Sequence, residues 1–287
     1  MAISLLQKLV EIPVVFLDVE TTGASAEYGD RVIELAICRV EGGKKVREYA
    51  QLFDPQRRVT AGITAITGIT NEMVAGKPVF GAEVPGILEI LDGAIVVGHN
   101  VRFDLSFLHG EFRRTGKSIV EALGGDRHVL DTVGIARRRF GRGGNGLQRL
   151  ARNFGYEPPV AHRALADVYT TIHVFERLLE AVGGWEMCLC DAMREQGGAM
   201  GLLPANSRES LMPLELEEAL EGNKPVEMEY LDANEQRTKR VIRPLHVKRR
   251  NGELILVAHC QLRDAQRTFK LDRIIQLARI ESLGISE

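Results

Sequence analysis

Two carboxylates follow directly on an apolar run near the start of the chain, in the segment FLDVETTG. Asp18 and Glu20 are two residues apart, so a β-strand there places both side chains on one face of a sheet. Neighbouring carboxylates repel and raise each other's pKa unless a positive charge joins them. A divalent ion supplies that charge, and oxygen ligands favour Mg²⁺ or Mn²⁺ over zinc. The alternative is a solvated strand end, which the D-x-E spacing alone does not exclude.

Two later segments add carboxylates where elements end or turn inward. Asp104 follows the β-rich run of VVGHNVRFDLSFL and opens a helix, where a charge that favours the helix dipole is the alternative explanation. Asp167 of HRALADV lies five residues after His162 and inside an apolar helical pattern, where a lone carboxylate is costly unless it has a partner. The alternative explanation is that this side of the helix faces solvent. Three carboxylate segments and a histidine in one domain together indicate a two-metal phosphodiester site.

The elements that must position these residues alternate along the chain. Apolar runs separated by turn residues predict strands, with a hairpin about Gly42-Gly43. Segments such as AEVPGILEILDG and RALADVYTTIHVFERLLEAVGG carry apolar residues at helical spacing and end in glycine, as helices do. An antiparallel meander followed by βα units predicts a three-layer α/β domain with a mixed sheet.

The chain changes in texture towards its C-terminal end. From Pro225 onward, short strands with turns at Asn234 and Asn251-Gly252 predict a small all-β barrel or sheet. A length of 287 residues also favours two domains. We therefore expect an α/β domain over residues 1–184, a helical linker over residues 185–222 and a β domain over residues 223–287.

Composition excludes several classes of protein. The net charge of −2 conceals a split, because residues 185–235 hold 3 Lys+Arg against 12 Asp+Glu while residues 236–287 hold 12 against 5. The 4 cysteines are too few and too scattered for a disulfide framework, which indicates a reducing compartment. Because no apolar run has the length of a membrane helix, we expect a cytoplasmic protein with no membrane partner.

The segments FLDVETTG, GHNVRFDLSFL and HRALADV resemble the three motifs of the DEDDh 3′-to-5′ exonucleases, and residues 12–180 resemble the DnaQ-like epsilon subunits of DNA polymerase III. The resemblance implies a ribonuclease H-like α/β/α fold. It also implies two Mg²⁺ or Mn²⁺ ions per site, one held by Asp18, Glu20 and Asp167, the other by Asp18 and Asp104. His162 would be the general base. The implied reaction releases nucleoside 5′-monophosphates from DNA, preferably from single-stranded 3′ ends.

The same resemblance indicates where the 3′ end of a substrate would lie. The expected contacts are Thr21, Thr22, Gly23, Thr67, Asn100 and Phe103. A plain β-turn accounts for Gly23 equally well, and Phe103 is better explained as a core residue. Thr67 stands where several family members carry a histidine, so the contact with the terminal base is open. Asp131, after a β-rich run, is expected to support the site or to cap a helix.

Residues 225–280 are similar to the WYL domain, through R-x-x-R-P at Arg240 to Pro244 and R-x-F-x-x-D-R at Arg267 to Arg273. This resemblance implies an SH3/Sm-like barrel that binds nucleic acid or a regulatory ligand, with Arg240, Arg267 and Arg273 as candidate contacts. A salt-bridged surface position is the alternative for Arg267. Arg137 and Arg142 of RRRFGRGGNG are candidates for phosphate contact, and a solvated loop is the alternative there.

Two alternatives to a DNA exonuclease are open from the sequence. The first is an RNA 3′-to-5′ exonuclease on the same site, because no residue that reads a 2′-hydroxyl can be identified. The second is a ligand-sensing, DNA-binding regulator whose nuclease fold is inactive, which the presence of all five catalytic-type residues disfavours. Since a WYL-like domain replaces the polymerase-binding tail of replicative relatives, a repair, salvage or defence role is expected rather than stable polymerase attachment.

Overall fold

The structure is a computed structural model that describes residues 3–157, 162–202, 212–234, 236–250 and 253–280. Its strands are β1 (Val14–Thr21), β2 (Val32–Glu41), β3 (Lys44–Leu52), β4 (Ile95–Gly98), β5 (Val129–Asp131), β6 (Val226–Leu231), β7 (Arg237–Arg250), β8 (Glu253–Cys260), β9 (Ala265–Lys270) and β10 (Ile274–Arg279). Its α-helices are α1 (Ala61–Thr67), α2 (Asn71–Val74), α3 (Phe80–Leu91), α4 (Val101–Arg114), α5 (Ile119–Ala122), α6 (Thr132–Phe140), α7 (Leu147–Asn153), α8 (Ala164–Leu179), α9 (Leu189–Glu195) and α10 (Leu214–Glu221). In the described part of the chain, no helix is both long enough and apolar enough to cross a membrane.

The first sheet is mixed and has the strand order β3-β2-β1-β4-β5. Strands β1, β2 and β3 pair antiparallel, and the turn between β2 and β3 lies at Gly42 and Gly43, as predicted. Strands β4 and β5 join parallel to β1 after helical crossovers. This topology confirms the expected meander followed by βα units.

Helices cover both faces of the first sheet, because β1, β2, β4 and β5 carry buried apolar residues on both faces, whereas the edge strand β3 is mostly exposed. Alternate β1 residues serve different cores: Val14 and Phe16 pack with α6, α7 and α8, whereas Val15 and Leu17 pack with α3 and α4. The result is the predicted three-layer α/β/α arrangement. The strand parity also determines which helix layer the polar end of β1 faces.

The segment expected to be a linker over residues 185–222 contains α9 and α10, and its role as a linker stays a prediction. Leu189 and Met193 of α9 are buried in the core beneath α8, and Leu202 is buried in the opposite core. Helix α10 packs through Leu216 and Ala219 on the second sheet. Both α9 and α10 have an apolar face, which stabilises a helix when it is buried against a core.

The second sheet is antiparallel throughout, with the order β10-β6-β7-β8-β9. The turn predicted at Asn234 is confirmed, since the Asn234 amide donates to Asp232 Oδ1 at 2.8 Å. The turn predicted at Asn251-Gly252 lies outside the described residues. Among the strand pairs of the described residues, β9 and β10 do not pair with each other, so an open sheet is observed and closure into an SH3/Sm-like barrel stays a prediction.

Candidate active site

Strand β1 presents Asp18 and Glu20 towards α8. Both have the parity of Phe16, whose ring lies 5.3 Å from that of Phe175 in α8. The β1–β2 register shifts between Glu20 and Thr21, and such a bulge turns the strand end. The sequence-derived placement of the two carboxylates on one face is therefore what the strand pairing produces.

Asp104 reaches the same region from the opposite helix layer. It lies in the first turn of α4, is only 4% exposed, and accepts a hydrogen bond from the Val19 amide at 2.9 Å. That amide is available because the β1–β4 pairing stops at Phe16. The short length of β4 thus lets a helix carboxylate bond to β1 beside Asp18.

Asp167 and His162 lie at the start of α8. Asp167 is 5% exposed; its Oδ2 accepts from the His162 amide at 2.9 Å and its Oδ1 from Gln148 Nε2 at 2.5 Å. His162 has a φ of 58°, a left-handed conformation that a non-glycine residue adopts only when its surroundings hold it. Its side chain is exposed, so the imidazole can meet solvent or substrate.

Glu34 and Arg163 hold the start of α8 against β2, and neither was identified from the sequence. Arg163 Nη2 and Nε lie 2.8 and 3.1 Å from the Glu34 carboxylate, which also accepts from the Ala164 amide at 3.0 Å. Glu34 is 5% exposed and stands directly opposite Glu20 in the ladder. The available signal was an acid inside the apolar run VIELAIC, which needs a partner when buried.

Burial raises the pKa of all four carboxyl groups, and neighbouring acids raise each of them further. Burial raises the pKa of Asp18 well above its usual value, and Asp104 and Asp167 raise it further. Burial, then Asp167 and Glu34, likewise raise the pKa of Glu20. The pKa of Asp104 is also raised well above its usual value by burial, despite the Val19 hydrogen bond. The arrangement is thus electrostatically unfavourable without an added positive charge.

The donor set fits a divalent metal. Carboxylate oxygens of Glu20 and Asp167 and a ring nitrogen of His162 lie within 4.8 Å of one another. Burial raises the pKa of Asp167 to about 7, whereas desolvation lowers the pKa of His162. Clustered carboxylates with high pKa values and few neighbouring cations are the arrangement that Mg²⁺ or Mn²⁺ stabilises.

The turn after β1 uses the side chains that the sequence proposed for substrate contact. Thr21 Oγ1 donates to the Gly23 carbonyl at 2.6 Å, and Thr22 Oγ1 accepts from the Arg31 amide at 3.0 Å. A Cβ atom at Gly23 would collide with the carboxylate of Asp30. Close packing against Asp30 therefore accounts for glycine here, and contact of these three residues with a sugar stays a prediction.

The remaining proposed substrate residues have different environments. Thr67 is 5% exposed, and its hydroxyl bonds within the α1 turn to Ile63 and Ile69. Asn100 adopts a left-handed conformation before α4, and its backbone N–H donates to Asp131 Oδ1 at 2.9 Å. Phe103 is half-buried beside Phe107, with ring centroids 4.9 Å apart.

Asp131 caps α6, which confirms one of the two roles expected for it. Its Oδ1 accepts from the Val133 amide at 2.9 Å, and its own amide donates to Gln196 Oε1 at 2.8 Å. Burial raises the pKa of Asp131 to about 6. Asp131 thus links β5, α4 and the segment after α9.

The candidate arginines have different partners. Arg137 lies 3.5 Å from Glu217, and Arg142 lies 2.8 Å from Glu221, so both pair with α10 in this structure. Arg240 Nε donates to Thr238 Oγ1 at 3.1 Å. Arg267 is exposed, and Arg273 lines a cleft of about 200 Å³ between α1 and the second sheet. Ligand contact by any of them stays a prediction.

Comparison with known families gives two matches along the chain. The model of the Exonuclease (RNase T) family matches residues 15–175, and the WYL domain model matches residues 213–279. The DNA polymerase III subunit epsilon of Aquifex aeolicus is 36% identical over 168 residues, 58% of this chain and 80% of that protein. The 3′-5′ exonuclease DinG of Bacillus subtilis is 35% identical over 167 residues, 58% of this chain but 17% of that protein. The chain thus spans less than a fifth of DinG.

Solved structures share the fold at low sequence identity. E. coli exonuclease I in complex with a dA16 oligonucleotide has a TM-score of 0.51 and 20% identity, covering 86% of this chain and 55% of that chain. The nuclease domain of 3′hExo, a DEDDh family member bound to rAMP, has a TM-score of 0.54 and 13% identity, covering 63% and 98%. These similarities confirm the expected ribonuclease H-like fold of the first domain.

Proposed function

The chain belongs to the exonuclease family, and from that premise we propose that it is a metal-dependent 3′-to-5′ exonuclease acting on DNA 3′ ends. The observation that carries the proposal is the cluster of Asp18, Glu20, Asp104 and Asp167, four carboxyl groups from three elements whose pKa values are raised by burial and by neighbouring acids. Such a cluster is costly to fold and is retained where cations complete it.

Each residue of the cluster has a proposed role. Asp18, Glu20 and Asp167 would hold one Mg²⁺ or Mn²⁺ ion, and Asp18 with Asp104 would hold a second. Two bound ions supply charge neutralisation of the phosphodiester, activation of water and stabilisation of the leaving 3′ oxygen. His162 is exposed and its pKa is lowered, so the neutral imidazole accepts the proton of the attacking water. The product is a nucleoside 5′-monophosphate.

Relatives support the direction and the choice of DNA. The Aquifex relative is named as a subunit of DNA polymerase III, and the Bacillus relative is named as a 3′-5′ exonuclease. We propose single-stranded 3′ ends as the preferred substrate. RNA is the competing substrate, and the assay below separates the two.

We propose that the C-terminal domain binds nucleic acid or a regulatory ligand. The support is the WYL match over residues 213–279 and the basic segment at residues 236–287, with 12 Lys+Arg against 5 Asp+Glu. Arg240, Arg267 and Arg273 are the proposed contacts. Substituting the exposed Arg267 by alanine should weaken binding of a single-stranded oligonucleotide or of the ligand, measured by fluorescence anisotropy.

The test of the nuclease proposal is a digestion of matched DNA and RNA strands with Mg²⁺ or Mn²⁺. A 5′-labelled DNA strand should shorten progressively, while a 3′-labelled strand should release its label at once as a mononucleotide. Asp18→Asn should be inactive, which controls for contaminating nucleases. Intact DNA and RNA ends with both metals would refute the nuclease proposal, and faster digestion of RNA would replace the DNA assignment.

A further inference from the structure

Helix α10 of the second domain lies on the glycine-rich loop of the first domain, which we define as residues 141–146. The carboxylate of Glu218 accepts from the Gly144 amide at 2.8 Å and from Asn145 Nδ2 at 3.2 Å. Glu218 is 9% exposed and Asn145 is 1% exposed, so this contact is buried. Buried hydrogen bonds to a charged group are stronger than exposed ones.

Further contacts of α10 fix the same loop. A Cβ atom on Gly146 would meet Glu215 Oε1, so the Glu215 carboxylate lies directly against the loop backbone at this position. Burial raises the pKa of Glu215, and Glu218 raises it further. Arg137 lies 3.5 Å from Glu217, at the start of the region that the helix covers.

The loop leads directly into the active site. Gly146 is the N-cap of α7, and the second residue of that helix is Gln148. Gln148 Nε2 donates to Asp167 Oδ1 at 2.5 Å. A displacement of residues 144–146 therefore moves the group that orients a proposed metal ligand.

We propose that α10 is a clamp through which the C-terminal domain controls metal binding in the nuclease site, with Gln148 as the positioning residue that transmits its state. This inference rests on the proposed metal-dependent function. The clamp in place holds Gln148 against Asp167 and favours metal binding. A ligand of the second domain that draws α10 away from the loop lowers the metal affinity.

The experiment measures Mn²⁺ binding by the full-length protein, using isothermal titration calorimetry with no nucleic acid present. Gln148→Ala should weaken binding about tenfold, the usual scale for a residue that orients a ligand. Glu218→Ala should weaken it about threefold or more through the loop. In the Gln148→Ala background, Glu218→Ala should weaken Mn²⁺ binding no further, because Glu218 acts through Gln148. Glu221→Ala, which removes only the exposed pair with Arg142, is the matched control and should bind Mn²⁺ normally.

The outcomes separate the clamp from the function on which it rests. Absence of Mn²⁺ binding by the wild-type protein would refute the metal site itself. If the wild-type protein binds Mn²⁺ and Glu218→Ala binds it with the same affinity, the clamp alone is refuted. The clamp is also refuted if Glu218→Ala weakens Mn²⁺ binding by the same factor in the wild-type protein and in the Gln148→Ala variant. If Glu218→Ala fails to fold, Glu218→Gln tests the same contact, because its one amide oxygen can accept from Gly144 while its NH₂ group faces Asn145 Nδ2, so the bond to Asn145 and the charge are lost. An unchanged affinity in that folded variant would also overturn the proposal.

Discussion

Removing the Arg163 side chain should destabilise the first domain and impair the nuclease together. The guanidinium makes two of the three hydrogen bonds to the Glu34 carboxylate, at 2.8 and 3.1 Å. Within the described parts of the chain, Arg163→Ala leaves Glu34 with one hydrogen bond, from the Ala164 amide at 3.0 Å. The unpaired charge then stands directly opposite Glu20 in the β1–β2 ladder.

The magnitude follows from the burial of the two partners. Breaking a fully buried ion pair costs about 3–5 kcal/mol, because the remaining charge lacks compensation. The Glu34 side chain is 6% exposed, but that of Arg163 is 40% exposed, so water weakens the pair and replaces part of it. We therefore expect a loss of about 2 kcal/mol in the free energy of unfolding. Activity should fall at least about tenfold, because Arg163 lies between His162 and the helix that carries Asp167.

Urea unfolding followed by the fluorescence of Trp185 measures this loss. The chain has a single tryptophan, Trp185, whose ring lies 5.6 Å from that of Phe175. Its fluorescence therefore reports on the unfolding of the first domain. The matched control is Arg177→Ala, which removes an exposed ion pair of α8 and should cost less than about 1 kcal/mol. If Arg163→Ala is as stable as Arg177→Ala, the reasoning about Glu34 is wrong.

Three further predictions test other parts of the account. Gly23→Ala should destabilise the protein by about 1–3 kcal/mol in urea unfolding, because its Cβ meets Asp30, and Asp30→Ala should restore part of the loss. In EDTA, Asp104→Asn should raise the unfolding temperature by about 2–4 °C, since the amide can keep the backbone bond and relieves repulsion; a lower unfolding temperature than that of the wild-type protein would contradict the electrostatic argument. Mg²⁺ should stabilise the wild-type protein more than the variant, because the variant keeps the three carboxylates proposed for the first ion but loses one proposed ligand of the second. A chain that ends after residue 184 should aggregate because it lacks α9, which is buried against the first core. A chain of residues 1–202 should give a monodisperse, folded protein by gel filtration and circular dichroism. Equal behaviour of the two chains would contradict the requirement of the first core for α9.

Local patterns were sufficient for the parts of the site that one element determines. Strand parity placed Asp18 and Glu20 on one face, and the apolar spacing of α8 turned Asp167 inward. The position of Asp104 in the first turn of a helix also followed from its sequence context. These predictions depend on periods of two and 3.6 residues, which the sequence displays directly.

Contacts between distant segments could not be predicted in this way. Glu34 and Arg163 are 129 residues apart, and Glu218 and Asn145 are 73 apart, so no local period connects them. The acid in VIELAIC indicated that a partner was needed, but not which one. The docking of α9 was overlooked for the same reason, since a short amphipathic helix does not reveal which core it joins.

The most direct measurement of the central claim is an anomalous difference map from a crystal grown with Mn²⁺ and a nucleoside 5′-monophosphate. We expect two peaks at the carboxyl end of β1, one ligated by Asp18, Glu20 and Asp167 and the other by Asp18 and Asp104. The phosphate should lie across both ions, with His162 facing it. Density for the protein with no Mn²⁺ peak among these carboxylates would contradict the claim that they form the metal centre of an exonuclease.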